Sequence, residues 1–315
     1  MKKNAFFCKY ILLMIFVLLT RASASFAQQA ADTASDDGTI KPLLQNRNED
    51  YATVRSLFKT KLIKQGHAPS RIDSIASIPQ GVTQIEFATV SGKETLNLKA
   101  WINMPFKHRN QKHPVVIFLH GGYAFEKEDW DMAKPFRDSG FIVVAPVLRA
   151  EDGQAGIFSM FYNEVDDIVS LAAYLRTLPY IDKNNMYISG HSVGGTVALL
   201  AAMSTNYFRK AVSLSASPDQ AIYCKYGINP KFIPFDTSNI KEFEVRSPLC
   251  YAGSFKCPVR LYYGSNERHW RLSTMQTAAV AQSKGLDVQA FEVDGGHEDA
   301  VPIEMKLAIK FFKEK

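Results

Sequence analysis

The stretch "MYISGHSVGGTVALLAA", residues 186 to 202, places a serine where it could act as a nucleophile. Gly190-His191-Ser192-Val193-Gly194-Gly195 follows a short apolar run and precedes a helix-forming one. The pattern G-x-S-x-G lifts a serine hydroxyl out of a sharp strand-to-helix turn. Serine is a poor nucleophile at neutral pH and needs a base within hydrogen-bond reach. The pattern also arises by chance in roughly one chain of this length in ten. A serine at that place would equally suit a helix N-cap. Its partners must therefore be found elsewhere in the chain.

Three other polar clusters follow apolar runs. His120-Gly121-Gly122-Tyr123 follows "VVIFL", Glu267 lies in "YYGSNERHW", and His297 lies in "VDGGHED". His297 can take the Ser192 proton and return it to a leaving group. A carboxylate must fix the tautomer of that histidine and stabilise its imidazolium. Glu267 is the candidate, with Asp294 and Asp299 as competitors; Asp294 shapes the Gly-rich turn and Asp299 suits the N-cap of the last helix. An oxyanion would need preorganised donors. The backbone N–H of Val193 is one, and the turn at Gly122 and Tyr123 supplies a second.

The remaining polar residues read as structural. His191 lies inside the turn but points away from Ser192, and His120 braces its loop. His67, His113 and His269 are surface residues. Glu164, Asp166 and Asp167 form a run on a helix, read as a solvated face or a helix-end contact. No His or Cys spacing suggests a metal site, and the glycines fit neither a P-loop nor a dinucleotide fingerprint. No cofactor or metal is expected.

The elements that must position these groups alternate. After the hairpin-like pair "VTQIEFATV" and "TLNLKAWINM", turning at Ser91-Gly92, strands are expected at 115–119, 141–147, 186–190, 211–217, 258–263 and 287–293. Helices are expected at about 126–139, then at 160–177, 193–204, 271–284 and 301–313, preceded by one at 49–66. Such alternation gives an α/β fold, a mostly parallel central sheet with helices on both faces. Its ligands sit at the carboxyl ends of the strands. Residues 218–256 interrupt the rhythm and read as a lid-like insertion over that edge. The domain is expected to span 49–315.

Lys2, Lys3 and Lys9 precede the apolar run Ile11 to Leu19, and small residues at Ser25 and Ala27 follow. This is the pattern of a signal peptide, 1–27, cleaved after Ala27; an uncleaved signal anchor is the alternative. Residues 28–48 are expected to be disordered. Cleavage would remove Lys2, Lys3, Lys9 and Arg21 and lower the formal charge from +6 to +2. That argues against a nucleic-acid or anionic-membrane partner, while the signal peptide implies an exported protein, periplasmic or secreted, with no stable membrane anchor after cleavage. Three cysteines remain, so at most one disulfide can form; Cys250–Cys257 is the favoured pair, with Cys224 left over. Three small buried hydrophobes is the other reading.

The chain order Ser…Glu…His is that of α/β-hydrolases. "PVVIFLHGG", "NEVDDIVSLAAYLRTLPYIDKNNMYISGHSVGGTVALLAA", "RSPLCYAGSFKCPVRLYYGSNE" and "VDGGHED" together resemble the catalytic domain of prolyl oligopeptidase-like serine peptidases and related esterases. The resemblance runs from about residue 95 onward. It implies Ser192 as nucleophile, Glu267 at the acid position, where those peptidases usually carry Asp, and His297 as base. It also implies oxyanion donors at Val193 and the Gly122-Tyr123 turn. The large peptidases carry a β-propeller for which 315 residues leave no room, which favours a small esterase or deacylase. The expected substrate is a small ester, with a short peptide as runner-up and a non-catalytic binding protein of the same fold as a third reading.

Overall fold

The computed structural model describes residues 38–69, 77–91, 94–103 and 111–314. The expected signal peptide, residues 28–37 and Gly92 of the hairpin turn lie outside them. Eight strands form one sheet: β1 (Val82–Ser91), β2 (Glu94–Asn103), β3 (His113–Leu119), β4 (Ile142–Pro146), β5 (Ile181–His191), β6 (Lys210–Leu214), β7 (Val259–Gly264) and β8 (Val288–Val293). Their order is β1-β2-β4-β3-β5-β6-β7-β8. β1 and β2 form the antiparallel hairpin and β2 pairs antiparallel with β4. From β4 to β8 every pairing is parallel. The continuous apolar runs explain this. Val115 to Leu119 and Ile142 to Ala145 are buried throughout, as strands covered on both faces must be.

Helices cover both faces. α1 (Tyr51–Leu57), α4 (Asn163–Leu175) and α5 (Val193–Ser204) pack Tyr51, Val165, Ile168, Leu171 and Val197 into one core. On the other face α2 (Lys127–Met132), α3 (Lys134–Asp138) and α7 (Val301–Lys313) pack Trp130, Phe136 and Phe312. α6 (Arg268–Ser283) joins the first core through Ala278 and Ala281. The single helix expected at 126–139 is broken at Ala133, because Pro135 has no N–H to continue it and starts a new helix instead.

The helix expected over 49–66 stops at Leu57, where Phe58 turns extended. Leu62 then pairs with Phe235, and the N–H groups of Ile63 and Lys64 donate to the Pro234 carbonyl. Bonding to the insertion outcompetes the helical spacing. Nor does the expected disorder extend to 38–48. Thr39, Ile40 and Leu44 are buried there, and the Leu43 and Leu44 N–H groups donate to the Asp219 carboxylate at 2.7 and 3.0 Å.

Two further expectations are corrected. Glu164 and Asp167 are buried, so the solvated-face reading fails for both, while Glu164 makes the helix-end contact. Glu164 accepts from Ser159 and the Tyr162 N–H, and Asp167 pairs with Arg149 at 2.8 Å. Burial pushes Asp167 up to about 6 despite that partner. Only Asp166 of the three is exposed, and it pairs with Arg55. The cysteines form no Cys250–Cys257 bridge: all three are thiols, Cys224 and Cys250 buried in the core and Cys257 partly buried against it, close to the small-hydrophobe reading.

The insertion 218–256 is built from single helical turns, Gln220–Ile222 and Ile240–Glu244, with a π-turn at Tyr223–Gly227 between them. It is anchored by fully buried Arg246, which donates to Glu242, to Thr60 and to the Ser159 and Met160 carbonyls. With the Glu242 carbonyl, which also accepts from it, five acceptor oxygens around one guanidinium meet the demand of a buried charge.

Candidate active site

The parallel strands bring four polar clusters to one edge. Ser192 stands between β5 and α5 at φ 53° and ψ −117°. Such a backbone costs roughly 1–3 kcal/mol and persists only where its surroundings enforce it. They do. A β-carbon on Gly190 would lie 2.4 Å from the Gly194 carbonyl, and one on Gly194 would lie 2.4 Å from the carbonyl oxygens of Leu119 and His120. Only glycine at both places lets strand, turn and helix close this tightly. That is the physical content of the sequence pattern. Ser192 occupies the N-cap position of α5 but its side chain makes no capping bond there, so its hydroxyl faces elsewhere.

It faces His297. Ser192 Oγ lies 2.9 Å from His297 Nε2, and His297 Nδ1 lies 2.5 Å from Glu267 Oε1. Glu267 is buried while His297 is half-exposed. The second oxygen of Glu267 accepts from the Gly264 N–H at 2.6 Å and the Ser215 hydroxyl at 2.7 Å. Burial pushes the Glu267 carboxyl up, but the bonds from His297, Ser215 and Gly264 hold it below its ordinary value. Burial opposes a charged His297, yet the Glu267 bond and charge outweigh it and raise the imidazole above its ordinary value. An ionised carboxylate thus fixes the proton on Nδ1 and leaves Nε2 free to accept one from Ser192.

The other acids stand apart. Asp294 and Asp299 are exposed, and Glu267 alone of the three reaches His297. Asp299 does not cap the last helix, whose N-cap is Ala300.

Gly122 and Val193 line the same cleft as Ser192. The Tyr123 side chain turns from it: its ring packs edge-on against Phe158 and its hydroxyl lies 3.0 Å from the Tyr223 hydroxyl. His120 braces the loop, as expected, through Glu151 at 3.0 Å. Burial opposes its charge, but Glu151 raises it to about 9, so it is an imidazolium at neutral pH. His191 sets its Nε2 3.1 Å from the His297 carbonyl. Burial and the neighbouring His297 hold it below its ordinary value.

The cleft measures about 390 Å³ and is walled by Phe161, Tyr223 and Trp270, with Thr196, Ser217 and Asn266 as polar edges. His269 is exposed, as expected, but also lines this cleft and packs against Trp270 and Tyr226. The aromatic walls escaped sequence reading because they come from three separate segments. Phe161 falls inside the expected helix 160–177, but at φ 65° it stands before α4, which starts at Asn163. A larger groove of about 640 Å³ lies elsewhere, lined by Arg55 and Tyr162, and contains none of these groups. Among the described residues, His191, His297 and Glu298 could bring metal-ligating atoms within 4.8 Å of one another. Both ring nitrogens of His297 already face Glu267 and Ser192, however.

Fold and site define the class as the α/β-hydrolases, with Ser192, His297 and Glu267 in one hydrogen-bonded line at the edge of the sheet. The chain belongs to the prolyl oligopeptidase family of S9 peptidases, whose pattern matches residues 129–314. It is 29% identical over 146 residues to the Bacillus subtilis protein named "Putative esterase YitV", covering 43% of this chain and 55% of that one. The chain spans little more than half the length of the curated relatives it matches. An esterase of Pyrococcus furiosus superposes with a TM-score of 0.59 at 19% identity, over 79% of this chain and 97% of that one. A puromycin-hydrolysing peptidase of Mycobacterium tuberculosis superposes with a TM-score of 0.63 at 18% identity, over 76% and 41%. At such identities these structures attest the fold.

Proposed function

We propose that this protein hydrolyses small carboxylic esters through an acyl-enzyme on Ser192, with His297 as general base and acid and Glu267 as the triad acid. The observation that carries the reading is the hydrogen-bonded line Ser192–His297–Glu267 at the foot of an aromatic-walled cleft. Ser192 Oγ attacks the ester carbonyl carbon as its proton passes to His297 Nε2. The carbonyl oxygen becomes an oxyanion, for which the N–H groups of Val193 and of the Gly122-Tyr123 turn are the proposed donors. Collapse of the intermediate breaks the C–O bond, and His297 returns the proton to the departing alcohol. Water repeats the cycle on the acyl-enzyme and frees the acid.

An ester is favoured over a free peptide by the cleft's charge. Among the described residues lining it, Glu267 is the sole carboxylate, and His297 already holds it. That leaves little to bind a peptide's terminal ammonium. Family membership keeps short peptides as the second reading. A panel of chromogenic esters and aminoacyl anilides decides it: higher kcat/KM on esters supports the proposal, and hydrolysis of anilides alone overturns it. We further propose export, resting on the sequence pattern of residues 1–27; N-terminal sequencing of the secreted or periplasmic protein should begin at Gln28.

A further inference from the structure

We propose that Glu304 is a neutral carboxylic acid that acts through Ser215 as a positioning residue, holding the Glu267 carboxylate against His297. The inference rests on the Ser192–His297–Glu267 reading above. Glu304 lies in the first turn of α7 and is fully buried. Its Oε1 is 3.1 Å from Ser215 Oγ, which is itself 2.7 Å from Glu267 Oε2. Ser215 sits just past the end of β6 at φ 51°, a left-handed backbone that only its surroundings can enforce.

Counting protons assigns the charge. Ser215 has one proton to donate. Glu267 faces the Gly264 N–H and the protonated Nδ1 of His297, so it is the ionised member. If Glu304 were ionised too, one serine proton would have to serve two carboxylates. One contact would then set lone pairs against each other. A proton on Glu304 Oε1 satisfies both contacts: Glu304 donates to Ser215, and Ser215 donates to Glu267. The other oxygen of Glu304, Oε2, is buried and has no hydrogen-bond partner among the described residues. A neutral carbonyl oxygen bears that far better than a carboxylate oxygen does.

The surroundings agree. α7 packs against α3, β5, β6 and β7. On α3, Lys134 and Asp138 pair with each other at the surface and Arg137 lies over Trp130. Lys210 of β6 bonds the Phe311 and Glu314 carbonyls, and Arg260 of β7 covers the Phe311 ring and pairs with Asp287, both at the far end of α7. On β5, Tyr187 stacks on Phe312 at that same end, Asp182 and Lys183 lie at the start of the strand, and His191 faces the His297 carbonyl. Tyr262 of β7 and Glu267, with His297 beyond it, are the ionisable groups facing the carboxyl itself. Burial first, then the Glu267 charge, push Glu304 up to about 8. Above that pH a second negative charge would stand behind Glu267, and the serine proton would be contested.

The test needs no natural substrate. The rate of Ser192 labelling by a fluorophosphonate is measured against pH for the wild type and for Glu304→Gln, whose amide still donates to Ser215. The wild type should show an ionisation near pH 8 that the Gln variant lacks, while their rates below that pH stay close. Melting temperature supplies a second readout. The folded carboxyl keeps its proton to about 8, whereas the unfolded one releases it at its ordinary 4.5. Stability due to this group is therefore full below pH 4.5 and lost as pH rises to about 8. The wild type should lose melting temperature relative to Glu304→Gln across that window. Superimposable labelling profiles together with a constant difference in melting temperature would overturn the proposal. Should the variant not fold, the infrared spectrum of the wild type decides: a protonated-carboxyl band at neutral pH that vanishes at high pH supports the assignment, and its absence removes it. A wild type that takes no label at Ser192 would refute the hydrolase reading instead, with melting temperature still judging Glu304.

Discussion

Gly190 and Gly194 meet backbone to backbone, so close that a β-carbon on the first would lie 2.4 Å from the carbonyl carbon and oxygen of the second. The contact forces Ser192 into its strained turn and aims its hydroxyl at His297. Gly190→Ala should therefore cost about 3 kcal/mol of stability, the upper range for overpacking. It should also abolish fluorophosphonate labelling. Urea unfolding and labelling of the same sample check both; a stable, fully labelled variant would show that the turn does not depend on that contact.

In the proposed mechanism His297 must be neutral to accept the Ser192 proton, and Glu267 raises its ionisation above the ordinary value. The acid limb of kcat/KM should accordingly have its midpoint above about 6.5, the unperturbed histidine value. Glu267→Gln removes the charge that raises it. The midpoint should fall, and kcat should drop roughly 10⁴-fold as the wrong tautomer is favoured. A pH–rate profile of both proteins on one ester would show whether the midpoint moves in this direction.

Arg246 is fully buried and joins Glu242, Thr60 and two carbonyls of the stretch before α4. Arg246→Ala would leave Glu242 buried with a lost partner. The expected loss is about 3–5 kcal/mol, read from the urea midpoint. Deleting 218–256 outright would remove this anchor, so the insertion is better probed by point changes.

Trp270 and Tyr223 wall the cleft from α6 and from the insertion. Trp270→Ala should raise KM for bulky acyl esters about tenfold and leave kcat nearly unchanged, the signature of lost uniform binding. Acetyl esters, too short to reach the wall, should be little affected. Equal effects on short and bulky esters would place the acyl group elsewhere.

Much of this architecture could be read from the chain because the signals are local. Each apolar run from Val115 onward announces its own strand, and parallel alternation then carries Ser192, Glu267 and His297 to one edge. What was missed depends on partners far away in sequence. Asp167 looks solvated on its helix until Arg149 is folded against it. Leu62 has helical spacing but bonds to Phe235. Cys250 and Cys257 are seven residues apart, yet the turns between them leave both as free thiols, Cys250 inside the core and Cys257 partly buried against it. Ser215 and Glu304 lie 89 residues apart, and nothing in either segment marks the contact. Asp299 illustrates the converse: a residue suited to capping stands one place too early, since Ala300 is the N-cap.

The central claim is that Ser192 is the nucleophile, and one measurement addresses it directly. The wild type is treated with a fluorophosphonate, digested and mapped, and Ser192→Ala is assayed beside it on an ester. The label should sit on the peptide containing Ser192, and the folded variant should lose on the order of 10⁶-fold in kcat. A label on another residue, or near-wild-type hydrolysis by a folded Ser192→Ala protein, would contradict the account.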